Sequence, residues 1–152
     1  MNEPLDELHL AAWRAFLHAH AVLTDQIDRE LAAAKVLPLS WYDVLLALYE
    51  APHRRLRMHE IASAIVLSRS GLTRLVDRLE AEGLLVRERS GTDRRGAYAV
   101  LTDKGLAALR QAWPVYSKGI ADHFARFLSD EEASLLANIF QRALAGIASL
   151  AT

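Results

Sequence analysis

The chain has no cysteine among its 152 residues. Without thiols there is no disulfide framework, no thiolate nucleophile, no thiol-based peroxide sensing and no cysteine-held zinc or iron-sulfur group. Proline and glycine are also scarce, at four and seven, so regular elements can run long between breaks. No stretch of eighteen or more uncharged apolar residues occurs, and MNEPLDELHL lacks the basic start and apolar run of a secretory signal. A cytoplasmic protein with no membrane contact is expected. A glycine-rich phosphate loop, a metal-ligand motif and paired acid/base groups at short spacing are missing too, which argues against an enzyme. His59-Glu60 lacks the second histidine of a zinc-protease helix. His18 and His20 point to different sides of a helix, and His53, His59 and His123 show no ligand spacing. Neither a metal nor a cofactor is expected.

What is present suffices for a core: 52% of residues are hydrophobic and 24% charged, which fits one domain or a compact module with helical extensions. The net charge is -1, but it is polarised along the chain. From His53 to Lys104 there are eleven Lys/Arg against seven Asp/Glu, while the remainder carries seven against twelve. A basic middle flanked by acidic ends is an electrostatic footprint for a polyanion.

Leu5, Leu8, Ala12, Phe16, Ala19, Leu23, Ile27 and Leu31 recur at three- and four-residue steps, predicting one long amphipathic helix over 5–34 with Asn2 as N-cap and Pro4 in its first turn. Pro38 marks a break. Ser40 is placed to cap a second helix, WYDVLLALYEA, that stops before Pro52. A short third helix, RMHEIASAIV, directs Ile61, Ala62 and Ile65 inward. In the fourth, RSGLTRLVDRLEAEGLL, Leu72, Leu75, Val76 and Leu79 define a buried face and Gly83 ends it in the left-handed conformation. LLVRER and AYAVLT read as two strands joined by SGTDRRG. That loop is longer than the favoured two-residue hairpin turns. A fifth helix begins at Thr102 or Asp103 and runs through Phe127 with Pro114 predicting a kink. Ser129-Asp130-Glu131-Glu132 is a capping box opening a last helix with Leu135, Leu136, Ile139, Ala143, Ile147 and Leu150 inward.

The expected fold is mainly α: a winged helix-turn-helix, helices plus a two-stranded β-hairpin wing, with N- and C-terminal helices forming a dimerisation layer. The division is 1–37 for an N-terminal dimerisation helix, 38–102 for the winged domain and 103–152 for C-terminal dimerisation helices. Opposite its leucines the fourth helix presents Ser70, Thr73, Arg74, Asp77 and Arg78. Arginine can pair with the major-groove edge of guanine, and Ser or Thr can bond a base or a phosphate. The helix start near Ser68 adds unpaired N–H groups suited to a phosphate. An ordinary solvated face explains the same residues taken alone. Arg94 and Arg95 at the hairpin tip, however, suit a minor groove, with Asp93 holding an arginine by a charge-assisted hydrogen bond.

LSRSGLTRLVDRLEAEGLLVRERSGTDRRGAYAVLTDKG strongly resembles the core of the MarR family, the multiple-antibiotic-resistance type of bacterial transcriptional regulator. The matching elements are Thr73-Arg74, the Leu79-Glu80 to Gly83-Leu84 helix end, Arg87, Asp93 with Arg95, and Leu101-Thr102 with Gly105. LSWYDVLLALYEAP continues the resemblance upstream; the outer helices match in pattern only. The resemblance implies a homodimer on a pseudo-palindromic operator in double-stranded DNA, acting as a repressor more often than as an activator. It places Ser68, Ser70, Thr73, Arg74 and Arg78 at the major groove or its phosphates. Arg95 becomes the minor-groove arginine and Asp93 the residue that aims it.

Family members commonly bind a small effector between the dimer layer and the DNA-binding lobe. His9, Trp13 and His20 fall within about 40° of one another on the first helix. Trp41 and Tyr42 begin the second, and Trp113 and Tyr116 flank Pro114. An aromatic cleft of this kind suits an aromatic or phenolic effector; ordinary packing at a helix junction explains the same residues equally well. The alternative function is a winged-helix protein-interaction or dimerisation module that does not touch DNA. Such a module has no need of Arg74, Arg78, Arg94 and Arg95 together.

Overall fold

The computed structural model describes residues 4–65, 69–89 and 96–150, with Arg69 and Ser70 described by their backbone alone. Among the described residues six α-helices and three short strands follow in the order α1 (Glu7–Ala33), α2 (Leu39–Glu50), β1 (Arg55–Arg57), α3 (Met58–Ala64), α4 (Arg69–Ala81), β2 (Leu85–Glu88), β3 (Tyr98–Leu101), α5 (Asp103–His123) and α6 (Asp130–Leu150). The chain divides into two compact units, Met1–Tyr116 and Ser117–Thr152.

Helix α1 starts later than its apolar pattern suggests. Asp6, not Asn2, caps it: the Asp6 carboxylate accepts from the His9 amide at 2.8 Å, and Pro4 precedes the first turn. Residue 2 lies outside the described residues. The His9 amide, then the His9 side chain, hold the Asp6 carboxyl below its ordinary value of 3.8. The folded helix therefore favours the ionised form, so the cap is complete above that value and is lost as pH falls through the lowered one. Protection of the His9 amide from hydrogen exchange should persist down to pH 3.8 and weaken below it; protection that ignores pH across this range would refute the cap. At its other end α1 closes with Lys35 at φ 56° and the Val36 amide donating to Leu31 O at 3.1 Å, the bonding of a Schellman turn with lysine at the left-handed position usually given to glycine.

Ser40 does not cap α2. The first amide is satisfied instead across the helix pair, by Leu39 N donating to Asp28 Oδ1 of α1 at 2.9 Å. Beyond Pro52 two consecutive residues, His53 (φ 57°) and Arg54 (φ 54°), take left-handed conformations and turn the chain into β1. That strand was not expected: its three residues RLR are too short and too charged to show a period, and it exists because β3 offers it an edge. The hairpin is thus part of a three-stranded antiparallel sheet in the order β1-β3-β2. Arg57 stands opposite Tyr98 in one ladder, and Arg87 opposite Ala99 in the other.

Leu72, Leu75, Val76 and Leu79 of α4 are buried as their spacing requires. They join Leu31 of α1, Val44, Leu45 and Leu48 of α2, Ile61 of α3, Leu85 and Ala99 of the sheet and Leu109 and Ala112 of α5 in one core. Gly83 (φ +74°) ends α4, with Leu84 N donating to Leu79 O at 2.9 Å. The start of α5 is fastened to this turn. Thr102 Oγ1 donates to Gly83 O at 2.7 Å and accepts from Gly105 N at 3.0 Å, while Lys104 Nζ donates to Glu82 O at 2.6 Å.

Helix α5 contains Pro114 and stops at His123, four residues short of the expected end; Phe124 leaves helical geometry and Ala125–Phe127 form a 3-10 turn. The capping box of α6 is present in both directions, Glu132 N to Ser129 Oγ at 3.1 Å and Ser129 N to Glu132 Oε2 at 2.8 Å. The apolar face of α6 is not inward within the chain. Leu135, Ile139, Phe140, Leu144, Ile147 and Leu150 are all exposed, as are Leu8, Trp13, Phe16 and Leu17 of α1 and Leu5 just before it. Among the described residues α6 is the one helix long and apolar enough, by length and composition, to cross a membrane.

Candidate nucleic-acid interface

Burial of its leucines fixes which side of α4 remains outside. Thr73, Arg74, Asp77 and Arg78 are exposed on the opposite side, so a helix following a short connection from α3 presents two arginines and a hydroxyl together. Thr73 also lines a shallow cleft of about 280 Å³ with Met58 and His59 of α3 and Gly96 and Ala97 at the return of the wing. Ser68, Asp93, Arg94 and Arg95 lie outside the described residues, as does the side chain of Ser70.

Two features of this region were not drawn from the residue pattern. Arg55 and Arg57, two residues apart on β1, both stack on the Tyr98 ring of β3, with guanidinium carbons 3.8 and 4.8 Å from its centroid. Arg55 also stands 3.9 Å from Glu88 of β2. Cation–π contact on a pleated surface needs cross-strand partners, and the HRRLR run was its one linear signal. The second feature is Asp77, which is occupied by Arg87 of β2 at 2.5 Å. The acid on the reading side is therefore neutralised by the sheet.

The seven residues nominated for an effector do not form one cleft. Tyr42 and Tyr116 meet edge to face at 4.9 Å and Trp113 meets Tyr116 at 6.0 Å, making one aromatic group between α2 and α5. Burial, then the Asp43 charge, push up the Tyr116 hydroxyl; burial likewise raises Tyr42, with smaller contributions from Tyr116, Asp43 and Glu50. Trp13 is 5.8 Å from Phe16, and Phe16 6.4 Å from His20, along the outer side of α1. His9 is engaged by Asp6. Trp41 lines a separate small cleft with Lys35, Lys104 and Gln111. His20 borders an open cleft of about 900 Å³ whose polar lining is mostly acidic, with Asp25, Asp28, Asp43 and Glu50. Although much of Asp43 remains open to solvent, the atoms crowding around it raise its carboxyl above the ordinary value. Periodicity along α1 could align His9, Trp13 and His20, but it could not say what each would face. Among the described residues no three His, Asp or Glu side chains come together as a metal site would require.

Two successive helices, the second with an exposed side carrying two arginines, followed by the antiparallel strands β2 and β3 and built on one core, define a winged helix-turn-helix protein. The known proteins it resembles agree. The family model described as MarR family matches residues 37–96. The HTH-type transcriptional regulator YkoM of Bacillus subtilis is 31% identical over 135 residues, covering 89% of this chain and 86% of that protein. Sco3205, a MarR family regulator from Streptomyces coelicolor solved in complex with DNA, superposes with a TM-score of 0.84 at 33% identity, covering 95% of this chain and 94% of that one. AbsC, a MarR family regulator of the same organism, gives 0.83 at 30% identity over 97% and 99%. The chain belongs to the MarR family of transcriptional regulators. It is a DNA-binding regulator and not an enzyme.

Proposed function

We propose that the chain acts in the cytoplasm as a homodimeric repressor of a pseudo-palindromic operator, with 38–102 reading DNA and the segments 1–37 and 103–152 joining the two copies. The exposed side of α4 carries this reading, because Thr73, Arg74 and Arg78 stand together opposite the buried leucines. In it Arg74 and Arg78 reach base edges or phosphates with Ser68, Ser70 and Thr73, while Arg95, aimed by Asp93 and accompanied by Arg94, enters the minor groove. The first experiment titrates the purified protein against DNA from its own upstream region at several salt concentrations, beside an unrelated duplex. Arg74→Ala should cost about 1–3 kcal/mol on the preferred duplex and relax its selectivity, whereas Arg95→Ala should weaken both duplexes and make the salt dependence shallower by about one. Unchanged affinities for both variants would remove the assignment of these residues. No binding of the native protein at low salt would restore the interaction-module reading.

The effector is proposed to be a small aromatic or phenolic compound held beside the Tyr42, Trp113 and Tyr116 group, where Trp113 is about half exposed and offers a stacking face. Benzoates and phenols added to the preformed complex should release DNA. A complex indifferent to the whole series would rule out this class.

A further inference from the structure

Arg87 leaves β2 and turns back onto α4. Its Nη2 donates to Asp77 Oδ1 at 2.5 Å, its Nη1 lies 3.6 Å from Glu80 Oε1, and its own backbone N donates to Glu80 Oε2 at 2.9 Å. Asp77 and Glu80 are three residues apart and so share one flank of the helix. A single residue therefore ties two carboxylates of the reading helix to a strand whose register is set by the pairs Arg87↔Ala99 and Glu88↔Tyr98. That strand leads directly into the wing. The side chains concerned are one third to more than one half exposed, and ion pairs in such positions contribute little to stability, about 0–1 kcal/mol. The forked guanidinium, by contrast, fixes geometry in a way that an ammonium cannot.

We infer that Arg87 is a positioning residue for DNA recognition, setting the angle between α4 and the wing so that both meet the duplex together. The inference rests on the DNA-reading function proposed above. Two contacts presented by one rigid unit bind as linked events, whereas a loose hinge must be ordered at the moment of binding. Non-specific attraction to phosphates needs charge alone and is indifferent to that angle.

The test uses the full-length protein and the tightest duplex that the native chain selects from a randomised pool, with a scrambled duplex as reference. Arg87→Lys keeps the charge and loses the fork. It should weaken the selected duplex about tenfold, the effect of a coupling typical of contacting residues, and leave the scrambled duplex and the salt dependence as they were. Asp77→Asn removes a negative charge from the DNA side, so simple electrostatics calls for tighter binding to both duplexes. Positioning calls for the same selective loss as Arg87→Lys. Tighter binding to both would overturn the inference, as would a lowered melting temperature with both affinities intact. A changed base preference in Asp77→Asn with Arg87→Lys unaffected would make Asp77 a direct reader and equally remove it. Should the native chain select no duplex, the proposed function falls first and the inference with it.

Discussion

A double variant Ile139→Asp, Ile147→Asp should sediment as a monomer and lose at least about a hundredfold in operator affinity. Both side chains are exposed within the chain, and their positions place them on one apolar side of α6 with Leu135, Leu136, Ala143 and Leu150. In a two-fold dimer each substitution occurs twice, so four apolar side chains leave the interface. At about 1.5–3 kcal/mol for each buried Ile, the dimer is weakened by about 6 kcal/mol or more, a shift above about ten-thousandfold in its dissociation constant. Desolvating four carboxylates adds to this. A monomer reaches only one half-site, so the linked second contact disappears. None of the substituted residues belongs to the core of the first unit, and its helix signal should survive. Analytical ultracentrifugation alongside anisotropy on the operator checks both halves; a variant that remains dimeric would show that this side of α6 is not the dimer contact.

Gly105→Ala should melt roughly 6–12 °C below the native protein at equal protomer concentration, from a destabilisation of about 3 kcal/mol. A Cβ on Gly105 would stand 2.1 Å from Leu84 O and 2.7 Å from Leu101 Cδ1. The carbonyl cannot easily retreat. Leu84 O accepts from Thr102 N at 3.2 Å and Leu84 N is bound to Leu79 O, so the turn after α4 is held from both sides. The new methyl must push α5 off that turn, stretching the Thr102 hydrogen bonds to Gly83 and Gly105 with it. Because this contact joins the end of the reading helix to α5, operator binding should fall together with stability. A melting temperature within a degree or two of native would mean that the approach is looser than the geometry indicates.

Residues near in sequence determined most of the local structure. The i, i+3, i+4 spacing of Leu72, Leu75, Val76 and Leu79 was enough to choose the buried side of α4 and hence the side carrying Arg74 and Arg78. Gly83 and the Ser129–Glu132 box ended and opened helices by backbone rules that act over a few residues. The order of elements sufficed for a winged helix-turn-helix, and the motif residues Thr73-Arg74, Arg87, Asp93 with Arg95 and Leu101-Thr102 with Gly105 sufficed for its family. What needed tertiary structure was every pairing of residues distant in sequence: Leu39 capped by Asp28 in place of Ser40, β1 called into being by the edge of β3, Asp77 neutralised by Arg87. The proposed aromatic cleft divided for the same reason. Side chains on α1, α2 and α5 each obey their own helical period, but which of them meet depends on how those helices pack, and that is set by the volumes filling the core.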